Sequence, residues 1–218
     1  MSKIDIFGDS VLKGVIYDEQ AQKYMLYENR LTTVEKDGNI VKNNSHMGAT
    51  VEKGYAMLSR RMDSDVVILS YGGNDCNFDW SKVSQAPDEK HLPNTPPERF
   101  VKIYRDIIEL ARLRGATVYM TNLVPLDAEK FMAWISKDLS YENILQWLGD
   151  VNILYRWQES YNRLVEKLAS DMGCGLIDIR SPFLCRHDFS SLFCKDGIHP
   201  TPKGHDIIRE ALRQYNNV

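Results

Sequence analysis

A hydroxyl, an imidazole, a carboxylate and a side-chain amide occur in this chain inside short glycine-containing turns. They are Ser10 in Gly8-Asp9-Ser10, Asn74 in Gly72-Gly73-Asn74-Asp75, and Asp196 and His199 in Asp196-Gly197-Ile198-His199-Pro200. Together these groups suit nucleophilic acyl transfer. A serine hydroxyl is a weak nucleophile at neutral pH and needs a base within hydrogen-bond reach. Histidine titrates near neutrality and fits that task. A partner on its other ring nitrogen must hold one tautomer. Asp196, three residues back with Gly197 between, can fold under the ring, and Pro200 stiffens the turn. The tetrahedral oxyanion also needs aimed donors, each worth about 3 kcal/mol when removed. The Asn74 amide is one candidate, and the backbone N–H groups of Ser10 and Gly48 are others. Gly48 lies just ahead of a predicted helix, where unpaired N–H groups favour negative charge. Each feature also has a plain structural reading. Ser10 suits a helix N-cap, residues 72–75 suit a turn, and residues 196–200 suit a helix-entry turn with a solvated histidine.

The elements that must position these groups follow from hydrophobic period and turn residues. Lys3–Phe7 alternates and reads as a strand, and the apolar run Asp65–Tyr71 reads as a central strand covered on both faces. Asp37-Gly38-Asn39 marks a turn before a short strand at Ile40-Val41. Thr117–Thr121 and Leu176–Ile179 complete five strands. Helical spacing covers Thr50–Met62, and Thr95-Pro96-Pro97-Glu98 opens a second helix with Thr95 as cap and Pro96 first. Asp127–Asp150, Val151–Met172 and Thr201–Tyr215 also read as helices, while Tyr17–Tyr27 has no firm assignment. Strands alternating with helices imply βαβ units. The expectation is one domain over 1–218, a three-layer α/β/α sandwich on a central, mainly five-stranded parallel sheet. In such a sheet the loops after Lys3–Phe7 and Asp65–Tyr71 leave at the same edge. The irregular stretch 77–94 is expected as a flap over the site. The aromatic-rich helical segment 127–161 is expected to add wall to a pocket.

Gly8-Asp9-Ser10, Gly48, Gly72-Gly73-Asn74-Asp75 and Asp196-Gly197-Ile198-His199-Pro200 resemble, in order, the four sequence blocks of the GDSL/SGNH hydrolase family, and they span almost the whole chain. The resemblance implies a flavodoxin-like sheet and a serine esterase or lipase-type activity without metal. By position it implies Ser10 as nucleophile, His199 as base and Asp196 as its orienter. Ser10 N–H, Gly48 N–H and the Asn74 amide would form the oxyanion hole. Val11 stands where the family name has Leu, an apolar exchange without consequence for the chemistry.

The 218 residues, 43% hydrophobic and 26% charged, have the make-up of a soluble globular protein. A net charge of -3 offers no electrostatic case for nucleic acid. No apolar run is long enough for a bilayer, and Ile4–Phe7 is too short for a secretion signal, so the expectation is a cytoplasmic protein. Cys76, Cys174, Cys185 and Cys194 are expected as free thiols. Asp9 and Asp75 are expected to brace loops, and His46 to sit in a loop or line the pocket. Trp134, Trp147 and Trp157 read as core. His187, Asp188, His199 and His205 lack the helical pairing of a zinc site, so neither metal nor cofactor is expected. The favoured activity is hydrolysis of a short-acyl ester, an acetyl group on a carbohydrate or small molecule. The alternatives are a lysophospholipase or acyl-thioesterase with the same triad, and a non-catalytic binding module.

Overall fold

Runs of β-branched and apolar residues, each closed by a polar or glycine turn, build a parallel sheet with helices on both faces. The computed structural model describes residues 2–30, 34–36 and 39–214. The expected turn residues Asp37 and Gly38, and Tyr215 at the end of the last helix, lie outside them. The elements in chain order are β1 (Lys3–Gly8), α1 (Ser10–Lys13), β2 (Val15–Asp18), β3 (Lys23–Leu26), β4 (Val34–Lys36) and β5 (Asn39–Asn43). There follow α2 (Val51–Arg61), β6 (Val66–Ser70), α3 (Trp80–Gln85), α4 (Pro97–Leu113), β7 (Thr117–Thr121), α5 (Ala128–Ile135) and α6 (Tyr141–Leu148). The chain closes with α7 (Ile153–Asp171), β8 (Gly175–Ile177), α8 (Ser181–Leu184), a 3-10 turn at Phe189–Leu192, and α9 (Pro202–Gln214).

The main sheet runs β4-β5-β1-β6-β7-β8. All its pairings are parallel except β4 on β5. The five parallel strands therefore lie in the order second, first, third, fourth, fifth. This is the doubly wound flavodoxin-like arrangement, whose crevice opens where the chain reverses direction, here between β1 and β6. Alternate side chains point to opposite faces. Phe7, Val67 and Leu69 enter a core with Leu58, Phe100, Tyr104, Ile107 and Tyr161. Ile6 and Ile68 enter a second core with Phe183, Ile208 and Leu212. A third apolar cluster, around Trp80, Phe131, Ile144 and Leu148, stands apart from both.

Three stretches differ from the sequence expectation, and the unassigned Tyr17–Tyr27 takes up a defined structure. Among the described residues, the connection from β1 to β5 carries no full crossover helix: α1 is a single turn, and an antiparallel hairpin follows, with Tyr17 opposite Tyr24. Residues 77–94 hold the short helix α3, capped by Asp79, and the segment is tied at its base by Asn94 N–H to the Asn77 carbonyl at 2.8 Å. The helix expected over 127–150 is two helices, because Ser140 accepts from Asn143 N–H and starts α6 afresh. Helix α4 begins at Pro97 with Pro96 as N-cap. Thr95, buried, is drawn out of the capping role by its side-chain hydrogen bond to Asp75. Among the described residues no helix is long and apolar enough to cross a membrane.

Leu69 is fully buried on the central strand β6. Leu69→Ala should lower the free energy of unfolding in urea by about 3 kcal/mol, through lost transfer energy plus the cavity left behind.

Candidate active site

The carboxyl edge of β1 turns directly into α1. The Asp9 carboxylate caps that turn by accepting from Val11 N–H at 2.9 Å, and Ser10 follows as its first residue. The loop carrying Asp196 and His199 is held from two sides. Phe193 and Pro200 bridge across its base, and Cys194 N–H donates to the His199 carbonyl at 2.8 Å. At its tip Gly197 has a φ of 72°, and a Cβ there would lie 2.5 Å from Phe131 N and 2.6 Å from the Asp127 carbonyl oxygen. Only glycine meets both demands. The Gly197 carbonyl in turn accepts from Asp127 N–H at 2.8 Å, at the start of α5.

These turns bring Ser10, His199 and Asp196 into one hydrogen-bonded line. Ser10 Oγ lies 2.9 Å from His199 Nε2, and His199 Nδ1 lies 2.6 Å from Asp196 Oδ2. The Asp196 carboxylate can only accept, so Nδ1 carries the proton and Nε2 is left to accept from the serine hydroxyl. Asp196 is fully buried. Its Oδ1 accepts from the N–H groups of Ile198 and His199, at 3.1 and 3.0 Å. Its Oδ2 accepts a second bond, from Tyr24 Oη at 3.1 Å. Burial alone would raise this carboxyl. The hydrogen bond and charge of His199, with the two backbone donors, outweigh it and hold the group below its ordinary value. Such an array can activate a hydroxyl for attack on a carbonyl.

Of the other expected residues, Asn74 lines the same cavity as Ser10 and His199. Its Nδ2 donates to the Ala49 carbonyl at 3.0 Å. Gly48, one residue before Ala49, sits in an exposed turn with a φ of 69° and is not among the cavity-lining residues. Asp75 accepts from Val51 N–H at 3.0 Å and so ties the β6 loop to the start of α2. His46 turns Nδ1 to the Asn44 carbonyl. Cys76 reaches the cavity wall, but burial pushes its thiol far above the ordinary range. Asp188 pairs with Lys203 and Arg186. His205 contacts the Val15 carbonyl through Nε2, and burial pushes it down to about 4. Among the described residues no three His, Cys, Asp or Glu side chains group as metal ligands. Tyr24 was not legible in the sequence as a site residue: it falls in Tyr17–Tyr27, which carries no clear period, and its docking on Asp196 joins residues 172 positions apart.

Ser10 and His199 open on a cavity of about 380 Å³. The segment 77–94 and helices α6 and α7 supply much of its wall, including Trp80, Trp147 and Trp157. The wall is closed by Trp147 Nε1 donating to the Glu89 carbonyl and by Gln146 donating to Asp88.

A doubly wound sheet carries the serine–imidazole–carboxylate line at its switch point, and solved structures of similar shape share this fold. A lipase/acylhydrolase from Enterococcus faecalis superposes with a TM-score of 0.66 at 15% identity, covering 99% of this chain and 95% of its own. An alpha/beta hydrolase enzyme from the metagenome of Lake Arreo gives 0.67 at 18% identity, covering 98% and 94%. An acetylxylan esterase from Geobacillus stearothermophilus gives 0.64 at 15% identity, covering 98% and 93%. At these identities the likeness shows the shared fold. No curated protein sequence matches the chain. The chain belongs to the GDSL-like lipase/acylhydrolase family, whose model matches residues 6–207, and it is a carboxylic ester hydrolase.

Asp9 and Asp75 are both pushed up to about 6, chiefly by burial, with hydrogen bonds only partly offsetting it. Between their ordinary value of 3.8 and about 6 the folded chain binds more protons than the unfolded one, so their contribution to stability falls as pH rises through that window and is level above it. Asp75→Asn removes one of these groups. Urea unfolding at about pH 4.5 and about pH 7.5 should show a smaller decline in the variant than in the parent; an equal decline would exclude Asp75 as its source.

Proposed function

We propose that the chain cleaves esters through an acyl intermediate on Ser10, with His199 as base and then acid and Asp196 as its orienting partner. The observation that carries this reading is the continuous Ser10–His199–Asp196 line opening on an apolar cavity. Ser10 Oγ attacks the ester carbonyl as His199 Nε2 takes its proton. The oxyanion is met by the Ser10 and Gly48 N–H groups and the Asn74 amide. One hydrogen of that amide is anchored on Ala49, which leaves the other for substrate. Collapse returns the proton from Nε2 to the leaving alcohol. Water then attacks the acyl-serine by the same route, with His199 again accepting and returning a proton.

The cavity wall favours an apolar acyl group of medium length. The three indoles in it turn their N–H groups to the protein: Trp80 to Asn77, Trp147 to the Glu89 carbonyl and Trp157 to the Cys76 carbonyl. Gln158 is engaged by Val124 and Arg180, and His91 Nε2 contacts the Ala86 carbonyl. What the three indoles present to a ligand is carbon. A cavity of about 380 Å³ leaves room for an acyl chain well beyond acetyl. Oxygen esters, lysophospholipids and acyl-thioesters all bring such a chain. The segment 77–94 acts in this reading as fixed wall and flap together. A second reading, an acetyl ester of a carbohydrate, is favoured by the acetylxylan esterase among the similar structures and by Lys90 and Glu98 at the cavity.

Ser10→Ala should lower kcat by about 10⁴-fold or more with little change in melting temperature, and should abolish labelling by a fluorophosphonate. Parent protein inert to that probe would instead mark a binding module. Between p-nitrophenyl octanoate and acetate, kcat/KM should favour octanoate, and a preference for acetate would replace the medium-chain reading with the carbohydrate one.

A further inference from the structure

The hairpin of β2 and β3 fills the place of a crossover helix, and it lies against the loop that carries Asp196 and His199. Tyr17 and Tyr24 face each other across the hairpin with ring centroids 5.3 Å apart, and both pack on Trp134 of α5, at 4.9 and 6.3 Å. Tyr17 N–H donates to Cys194 Sγ at 3.4 Å. The hairpin is thus fastened to both the helix and the loop that frame His199. From this support the Tyr24 hydroxyl donates to Asp196 Oδ2, the same oxygen that holds His199 Nδ1, and its ring stands 5.0 Å from the imidazole, tilted by 57°.

We propose that Tyr24 is a positioning residue for the reaction. Its hydroxyl fixes the rotation of the Asp196 carboxylate and shares the charge that Oδ2 directs at His199, while its ring confines the imidazole. The inference rests on the Ser10–His199–Asp196 reading above. Each carboxylate oxygen then has two donors, which fills the accepting capacity of a buried carboxylate. Two of the four come from outside the backbone of residues 198–199: the ring that must be aimed, and a tyrosine on a separate element. Without the second, the Oδ2 end of the carboxylate has the imidazole as its one partner and the pair can swing together. Burial, and then the Asp196 charge and hydrogen bond, push the Tyr24 hydroxyl far above its ordinary range, so it remains a donor throughout the working pH. The other titratable groups near this assembly are Tyr17 and Cys194 beside Tyr24, and Asp9 and His205 beside His199. None of them is removed by the substitution of Tyr24.

The test is Tyr24→Phe, assayed on a p-nitrophenyl ester over a range of pH. The lost bond to a charged group should cost kcat about ten- to a hundred-fold with KM little changed. The acidic limb of kcat/KM should move upward, because Oδ2 then gives more of its charge to the protonated ring. The downfield proton resonance of His199 Nδ1–H should shift with it. Tyr17→Phe, which removes a hydroxyl that donates to Gln22, should leave the limb and the resonance unmoved, and it separates positioning from hairpin stability. Should Tyr24→Phe fail to fold, Tyr24→His keeps an aromatic donor, and recovery of the parent limb would support the assignment. Parent-like kcat, limb and resonance in Tyr24→Phe would overturn it, as would the same changes in Tyr17→Phe. Turnover surviving in Ser10→Ala would instead overturn the underlying reading.

Discussion

One imidazole, gripped at both nitrogens, is the constraint around which the rest of this molecule is arranged. Its partners Ser10 and Asp196 come from opposite ends of the chain, with Ser10 lying 189 positions from His199. No local preference can hold them together. The sheet does so: β1 in its middle delivers Ser10 at the carboxyl edge, and β6 beside it delivers Asn74 at the same edge. The final loop is folded back over that edge by the bridge at Phe193 and Pro200 and by the contact of Gly197 with α5. The cores on the two faces of the sheet are, in this sense, the support for the placement of Nε2 against Ser10.

What could be read from the sequence was what short-range physics writes there. Alternation in Lys3–Phe7 and the apolar run at Asp65–Tyr71 mark strands because the pleat has period two and a doubly covered strand needs carbon on both faces. The glycines beside Ser10, Asn74 and His199 are visible because tight turns at a strand edge demand them. Six-residue α3 is too short to show a helical period. The break between α5 and α6 depends on Ser140 capping a new helix within an otherwise helix-prone run. Tyr24 was hidden for a different reason. Its partner lies 172 positions away, and docking at that range depends on the completed fold.

The site also concentrates buried charge. Asp9, Asp75 and Asp196 lie close to the reactive edge, and all three are buried. Asp196 is saturated with donors and held below its ordinary value. Asp9 and Asp75 have fewer donors, so burial dominates and both are raised, Asp75 also by the charge of Asp9. The same chemical group is thus tuned in opposite directions by the number of hydrogens aimed at it. Loop bracing by Asp9 and Asp75 comes at a cost in stability, a usual companion of functional edges in folded chains.

The cavity wall has one more consequence. Trp80, Trp147 and Trp157 stand in it, and Trp134, the fourth of four tryptophans in the chain, packs on the two hairpin tyrosines. Indole emission follows the polarity around the ring. Displacing water from the wall therefore alters the light from three fluorophores, while the remaining one responds to the hairpin. The protein carries a built-in optical gauge of occupancy on one side of His199 and of loop support on the other, with no dye attached.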